Sequence, residues 1–128
     1  MPKRVLVIDD DSAIRKSFEL ALEDTDLYLD TAESGMKGLE LIRNAGYDLV
    51  FLDLKMPELD GVQTLRGIRG MDSDVPVYIL TAFHREFLDP LKAAVSDGLE
   101  FELVRKPIDT TQIVELTIGA LGDDVVHC

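Results

Sequence analysis

The stretch DLVFLDLKMPELDG, residues 48–61, decides the fold of this chain. A short run of apolar and β-branched residues ends in the carboxylate of Asp53, and Pro57 and Gly61 then punctuate a turn. Such a run, bounded by turn residues, is typical of a buried strand. A carboxylate at the tip of a buried strand can be a structural cap, a metal ligand or a nucleophile. The residues at the ends of the other strands distinguish among these roles.

The same kind of strand recurs along the chain and alternates with helices. Between the apolar runs, apolar residues recur at helical spacing, which predicts five helices. Strands that alternate with helices predict a parallel sheet covered on both faces, an α/β fold. The predicted strands are Arg4–Ile8, Leu27–Thr31, Asp48–Leu52, Val75–Leu80 and Phe101–Val104.

Helix-start signals agree with this division. Asp11 or Ser12 can cap the first helix, and Asp109 with Gln112 three residues later has the pattern of a capping box. Pro90 fits the first turn of a helix better than its interior, so the fourth helix is expected to start late, after an irregular loop. Ser34 is the predicted cap of the second helix.

Composition predicts one domain in a reducing compartment. The chain has 128 residues, of which 46% are hydrophobic, and we assign residues 1–121 to the domain and residues 122–128 to a short tail. Acidic residues outnumber basic ones 25 to 13, so direct binding to nucleic acid by this domain is not expected. Cys128 is the single cysteine. No stretch resembles a signal peptide or a membrane span, so a cytoplasmic protein with no membrane contact is expected.

Polar residues gather at the ends of the predicted strands, where open parallel sheets place their chemistry. Crowded carboxylates stay ionised together only around a cation, and oxygen ligands without His or Cys suit Mg²⁺. A lysine and a hydroxyl beside them are what phosphoryl transfer needs, and a carboxylate can itself attack the phosphorus. The strand-end groups are Asp9–Asp11 after the first strand, Asp53 after the third, Thr81–Ala82 after the fourth and Arg105–Pro107 after the fifth.

These residues, in this order, resemble the response-regulator receiver domain of two-component signalling, over essentially the whole chain. The resemblance implies a flavodoxin-like, three-layer (βα)5 fold with a five-stranded parallel sheet in the order 2-1-3-4-5. It also implies that the Lys106–Pro107 peptide bond is cis, as is common in the family. The stretches that carry it are VLVIDDDSAIR, DLVFLDLKMPELDG, ILTA and VRKP.

The resemblance assigns roles around a metal ion. Asp53 matches the phosphoacceptor, and it also serves as a ligand to Mg²⁺ or Mn²⁺. Asp10 matches the carboxylate that binds the metal directly, and Asp9 its acidic neighbour, which binds directly or through water. The backbone carbonyl of Lys55 completes the implied protein ligands.

Further residues match those that act on the phosphoryl group. Thr81 matches the hydroxyl that senses it, and Lys106 matches the lysine that pairs with it. By position, Lys55, Ala82 and Phe83 are expected to modulate how long the phosphoryl group persists.

The segment between Thr81 and Lys106 departs from the family pattern. Lys106 lies 25 positions after Thr81, a few more than is typical of the family. The family carries an aromatic switch residue three positions before the lysine, and Leu103 stands there in this chain. Two interpretations stay open: Leu103 replaces the switch, or a shift of the strand by an even step lets Phe101 serve.

The implied function is a phosphorylation-controlled switch. A sensor histidine kinase or a histidine phosphotransfer protein would donate the phosphoryl group to Asp53. The face made by the fourth helix, fifth strand and fifth helix would then signal to a partner protein or a linked output domain, and a phosphorylation-dependent homodimer is a further option. Such a domain catalyses only its own phosphorylation and dephosphorylation.

Two other classes of function compete with this one. In the first, the domain is a pseudo-receiver adaptor that is never phosphorylated, against which the complete set of acidic, hydroxyl and lysine residues argues. In the second, it is a Mg²⁺-dependent phosphatase with an aspartate nucleophile, of the haloacid dehalogenase kind. That class requires Asp-x-Asp-x-Thr after the first strand, where Asp9 and Asp11 fit and Ala13 does not.

Overall fold

A computed structural model describes residues 2–122 of the chain. Five strands alternate with five helices, as the sequence predicts. Most of the predicted tail, from residue 123 to Cys128, lies outside the described residues. The strands are β1 (Arg4–Ile8), β2 (Tyr28–Ala32), β3 (Leu49–Asp53), β4 (Val77–Thr81) and β5 (Glu102–Arg105). The helices are α1 (Ser12–Leu22), α2 (Gly35–Asn44), α3 (Gly61–Met71), α4 (Leu88–Ser96) and α5 (Thr110–Leu121).

The strands form one parallel sheet in the order β2-β1-β3-β4-β5, which confirms the predicted topology. All five carboxyl ends therefore meet at the same edge of the sheet. Because β1 and β3 are neighbours at its centre, Asp9, which follows β1, and Asp53, which ends β3, are brought side by side.

The core consists of two layers, one on each face of the sheet. Side chains alternate between the faces along a strand. In β1, Val5 and Val7 pack under α1 and α5, whereas Leu6 and Ile8 pack on the opposite face, under α2, α3 and α4. The helices on that face are not equally buried, since Ala94 is the one buried residue of α4.

Four strands begin later than predicted, and each of these four ends one residue later. Before β4, the Val75 N–H donates to the side chain of Asp72 at 3.0 Å, so this residue is held by the preceding turn rather than by the sheet. The later ends have a functional consequence. Asp53 pairs with Leu80 and Thr81 pairs with Arg105, so both polar residues are still fixed by strand pairing.

The helix boundaries follow the sequence signals closely. A single turn of 3₁₀ helix, Arg85–Phe87, precedes α4, and Pro90 lies in the first turn of that helix, as expected. A capping box at Asp60 and Gln63 starts α3 and was not predicted. The predicted side-chain caps are present at Asp11, Ser34 and Asp109.

Candidate functional site

The acidic residues after β1 take separate positions. Asp9 is fully buried, and its carboxylate accepts a hydrogen bond from the Asp11 N–H at 3.0 Å. Asp10 is exposed, and Asp11 accepts from the Ala13 N–H at 2.9 Å as the cap of α1. Arg15 fixes the turn from the helix side, because its guanidinium donates to the Asp9 carbonyl at 2.7 Å. Asp9 and Asp10 therefore present carboxylates to the site, while Asp11 stabilises the helix.

The loop after β3 turns back tightly on the strand. The Gly61 N–H donates to the Leu54 carbonyl at 2.7 Å. A Cβ atom on Gly61 would lie 2.6 Å from the Asp53 carbonyl oxygen and 2.7 Å from the Leu54 Cα, which are both backbone atoms. Glycine is thus required where α3 begins, and the return of the chain holds Asp53 and the first residues of the loop in place.

Lys106 joins the two buried carboxylates. Its ammonium lies 2.9 Å from Asp53 Oδ1 and 3.2 Å from Asp9 Oδ2. Its backbone is held as well, since the Lys106 N–H donates to the Thr81 carbonyl at 2.8 Å. The Lys106–Pro107 peptide bond is cis, as the resemblance implies.

Thr81 ends β4 and is buried, and its hydroxyl accepts a hydrogen bond from the Phe83 N–H at 2.9 Å. Phe83 itself has a left-handed backbone, with φ of 62°, and its side chain is turned outward. The Phe83 ring lies against the guanidinium of Arg105, with 4.3 Å between the guanidinium carbon and the ring centroid.

These groups surround a cavity of about 210 Å³ at the carboxyl edge of the sheet. Of the residues predicted to modulate the site, Lys55 and Ala82 line this cavity, and Phe83 does not. His84 lines it too, although no sequence motif predicts an imidazole there. The predicted site residues that line the cavity are Asp9, Asp10, Asp53, Lys55, Thr81, Ala82 and Lys106.

Burial and crowding shape the charges of the site. Burial raises the pKa of Asp53 to about 6, although the hydrogen bond from Lys106 acts in the opposite direction and the negative charge of Asp9 adds to the rise. Burial also raises the pKa of Asp9. For Lys106, burial favours the neutral amine, but the hydrogen bond and charge of Asp53, together with Asp9, outweigh it and the pKa is raised. Lys106 therefore keeps its positive charge, whereas burial disfavours the negative charges of Asp9 and Asp53.

The acidic groups fit a divalent cation. One carboxylate oxygen from each of Asp9, Asp10 and Asp53 lies within 4.8 Å of the other two. Within residues 2–122 this is the single cluster of metal-ligating side chains of this size. Hard carboxylate oxygens without nitrogen or sulfur donors match the preference of Mg²⁺. Such an acidic triad is typical of a Mg²⁺-binding receiver site.

The two candidate switch residues differ in their surroundings. Leu103 lies within β5, pairs with Ile79 and is 48% exposed. Phe101 precedes the strand and packs partly buried against the core. Both border an apolar groove of about 490 Å³ along α4. Leu103 is thus the one of the two that stands in the strand three positions before Lys106.

The chain belongs to the response regulator receiver domain family, which it matches over residues 5–118. Over 82 residues it is 42% identical to the response regulator MprA of Mycobacterium sp. (strain KMS). The aligned region covers 64% of this chain and 36% of that protein. Over 120 residues it is 36% identical to the transcriptional regulatory protein GlrR of Escherichia coli (strain K12). This aligned region covers 94% of this chain and 26% of that protein. The chain thus spans about a third of the length of MprA and about a quarter of the length of GlrR.

Solved structures confirm the flavodoxin-like fold. A CheY-like receiver domain protein from Methanospirillum hungatei JF-1 superposes with a TM-score of 0.83 at 23% identity, covering 97% of both chains. A receiver domain protein from Clostridium thermocellum superposes with a TM-score of 0.77 at 31% identity, covering 93% of this chain and 94% of that one. The CheY4 chemotaxis protein of Vibrio cholerae gives a TM-score of 0.80 at 21% identity, covering 94% of this chain and 100% of that one.

Family membership defines the general function. This is a receiver domain of two-component signalling, and its acidic pocket of Asp9, Asp10 and Asp53 is of the kind in which an aspartate is phosphorylated. Receiver domains have histidine kinases and output domains as partners. Among residues 2–122, no helix is both long enough and apolar enough to cross a membrane.

Proposed function

We propose that Asp53 accepts a phosphoryl group from a phosphohistidine and that the modified domain acts as a signalling switch. The observation that carries this proposal is the position of Lys106, whose ammonium contacts Asp53 at 2.9 Å and Asp9 at 3.2 Å in the cavity that Thr81 also lines. A nucleophile, a cation and a hydroxyl donor therefore face one small space. These are the groups that stabilise a phosphoryl group in transfer.

The transfer is a substitution at phosphorus. A carboxylate oxygen of Asp53 forms the new P–O bond while the P–N bond to the donor imidazole breaks. The bonding pair stays on the imidazole nitrogen, which then takes up a proton, and the product on the protein is an acyl phosphate. Lys106 shifts its hydrogen bond from the Asp53 carboxylate to a phosphoryl oxygen, and the Thr81 hydroxyl donates its proton to another.

Asp9, Asp10, Asp53 and the Lys55 carbonyl are the proposed ligands for Mg²⁺ or Mn²⁺. When bound there, the ion supplies positive charge to the phosphoryl oxygens. The residues of the chain have complementary tasks. Asp53 attacks, Lys106 and Thr81 orient the group, and Lys55 and Ala82, which line the cavity, limit the access of water to the acyl phosphate.

The output is proposed to pass through α4, β5 and α5. Phosphorylation replaces the single negative charge of the Asp53 carboxylate with about two negative charges on the phosphoryl group, beside Thr81 and Lys106. Movement of Thr81 toward it would change the packing of α4 against β5 around Leu103. Partners of this face are a downstream protein, a linked output domain or a second copy of the domain. A cytoplasmic location, with neither nucleic acid nor membrane bound directly, completes the proposal.

The test uses a small phosphoryl donor. Incubation with Mg²⁺ and acetyl phosphate should add one phosphoryl group, about 80 Da, to the intact mass. Asp53→Asn should abolish this adduct, whereas the matched control Asp11→Asn should keep it, because Asn also caps a helix well. Persistence of the adduct in Asp53→Asn would refute the assignment of the acceptor.

Two other outcomes would point to the competing classes. A wild-type protein that gains no mass would be an adaptor that acts through its surface alone. Steady hydrolysis of a phosphate ester without a stable adduct would instead indicate a phosphatase.

A further inference from the structure

We propose that Arg105 is a positioning residue for the Thr81 hydroxyl and that it acts through the ring and backbone of Phe83. The proposal rests on the function proposed above, because its consequence is a correctly presented hydroxyl at the phosphoryl site. It concerns two residues whose side chains lie outside the cavity.

Phe83 adopts a backbone conformation that requires support. Its φ of 62° lies in the left-handed region, which side chains other than glycine, asparagine and aspartate rarely adopt. Such residues persist when their surroundings hold them there. Burial does not provide this support, because the side chain is 58% exposed. Another interaction of the residue has to hold it.

The guanidinium of Arg105 provides that interaction. Its central carbon lies 4.3 Å from the centroid of the Phe83 ring, well within the range of an attractive cation–π contact. Arg105 is itself fixed by the sheet, because it is paired with Thr81 in the β4–β5 register. The Phe83 ring is therefore held by Arg105, and Arg105 is the strand partner of Thr81, whose hydroxyl Phe83 helps to orient.

The contact reaches the cavity through one hydrogen bond. The Phe83 N–H donates to Thr81 Oγ1 at 2.9 Å. A hydroxyl has one proton to donate and two lone pairs that accept. Because this N–H occupies a lone pair, the proton of Thr81 is directed elsewhere and can be donated to a phosphoryl oxygen on Asp53. Loss of the left-handed conformation at Phe83 would free the hydroxyl to rotate.

The experiment measures the affinity for beryllofluoride, a small mimic of a phosphoryl group on a carboxylate, in the presence of Mg²⁺. The variants are Phe83→Leu, Arg105→Met and the double variant, with Phe83→Tyr as the conservative replacement that keeps the ring. Arg66→Met is the matched control, because Arg66 pairs with Asp97 between exposed side chains and neither residue lines the cavity. Affinity for Mg²⁺ alone and the unfolding midpoint are measured in parallel.

Each single variant should weaken beryllofluoride binding roughly three-fold, the size expected for one exposed cation–π contact. The double variant should bind beryllofluoride as tightly as either single variant, because the two single substitutions remove the same contact. Phe83→Tyr and Arg66→Met should bind like the wild type, and affinity for Mg²⁺ alone should not change in any variant. A purely structural role would lower the Mg²⁺ affinity and the unfolding midpoint together with the beryllofluoride affinity.

Three results would overturn the inference. These are wild-type affinity in both single variants, a double variant whose loss is the product of the two single losses, or a parallel loss of Mg²⁺ affinity. A wild-type protein that fails to bind beryllofluoride at all would refute the proposed function as well. The two failures are thus distinguished by the wild type alone.

Discussion

The loops that follow β3 and β4 border the same cavity and are stabilised in opposite ways. The loop of residues 54–60 is fixed by backbone contacts at its ends, and its Leu54 and Met56 side chains are buried. In the loop of residues 82–87, Phe83 and Glu86 contact their neighbours through exposed side chains, and Phe87 packs partly buried against the core. Asp53 is therefore followed by a rigid turn. Thr81 is instead followed by a segment whose solvent-exposed contacts break and re-form easily.

The ion pair between the two loops illustrates the second kind of contact. Lys55 Nζ lies 3.5 Å from Glu86 Oε1, and the two side chains are 58% and 62% exposed. Pairs of this kind contribute little to stability. Four substitutions test the contrast between the loops, in order of decreasing expected effect.

The substitution Gly61→Ala should cause the largest loss. The new methyl group would meet backbone atoms of Asp53 and Leu54, which cannot move aside as a side chain would. We expect a loss of about 3 kcal/mol in the free energy of unfolding, as for severe overpacking. Gly70→Ala, in the same helix with nothing within 4 Å of the added carbon, should be neutral or stabilising. Urea unfolding measures both, and equal effects would contradict a rigid turn.

The substitution Asp53→Asn should stabilise the metal-free domain at neutral pH. The pKa of Asp53 is raised by burial to about 6 in the folded protein, so the wild type loses stability as the pH rises through that value. Removal of the charge should raise the free energy of unfolding at pH 7.5 by on the order of 2 kcal/mol.

The pH dependence of this gain provides the control. Below the pKa of an unfolded aspartate, near 4, Asp53 is protonated in both states and the gain should vanish. Urea unfolding in a chelator at pH 7.5 and at about pH 3 measures the difference. Destabilisation by Asp53→Asn at pH 7.5 would show that the contact with Lys106 outweighs the burial of the charge.

The substitution Arg69→Lys should loosen the turn that precedes β5. The Arg69 guanidinium donates to the carbonyls of Val75 at 2.7 Å and Glu100 at 2.6 Å, and so fixes the turn before β5 to α3. Lysine cannot make these contacts together, and we expect a loss of about 1 kcal/mol. Amide hydrogen exchange should accelerate around Glu100 and stay unchanged in residues 54–60. Acceleration in both places would mean that the two regions unfold as one unit.

The substitution Glu86→Gln should have the smallest effect. It removes the charge that pairs with Lys55 between the two loops. We expect the free energy of unfolding to change by less than about 0.5 kcal/mol. Thermal unfolding at low and high salt measures the change. A larger loss that disappears at high salt would show that this bridge holds the two loops together.

The sequence predicted the fold and the residues around the cavity because both depend on regular patterns. Parallel strands bring their carboxyl ends to one edge, so Asp9, Asp53 and Lys106 had to meet once the strands were placed. The contact between Arg105 and Phe83 could not be predicted, because it depends on a left-handed backbone at a residue type that rarely adopts one.

Three further features of the site could not be predicted from the sequence, for similar physical reasons. The hydrogen bond from Arg15 to the Asp9 carbonyl depends on the direction of a long, flexible side chain. The need for glycine at position 61 becomes visible when the distance to the Asp53 carbonyl is known. The place of His84 at the cavity follows from the irregular turn before α4, which no periodic pattern describes.

The sheet order has a further consequence for how these domains behave at high concentration. Within residues 2–122, β2 and β5 each have one neighbour, so a row of backbone groups on each is open to pairing with another molecule. Both edges are short, and each carries charge: Asp30 in β2, and Glu102 and Arg105 in β5. Charged edge residues discourage uncontrolled pairing of sheets between molecules. Arg105 thus adds a positive charge to the β5 edge, where charge disfavours such pairing.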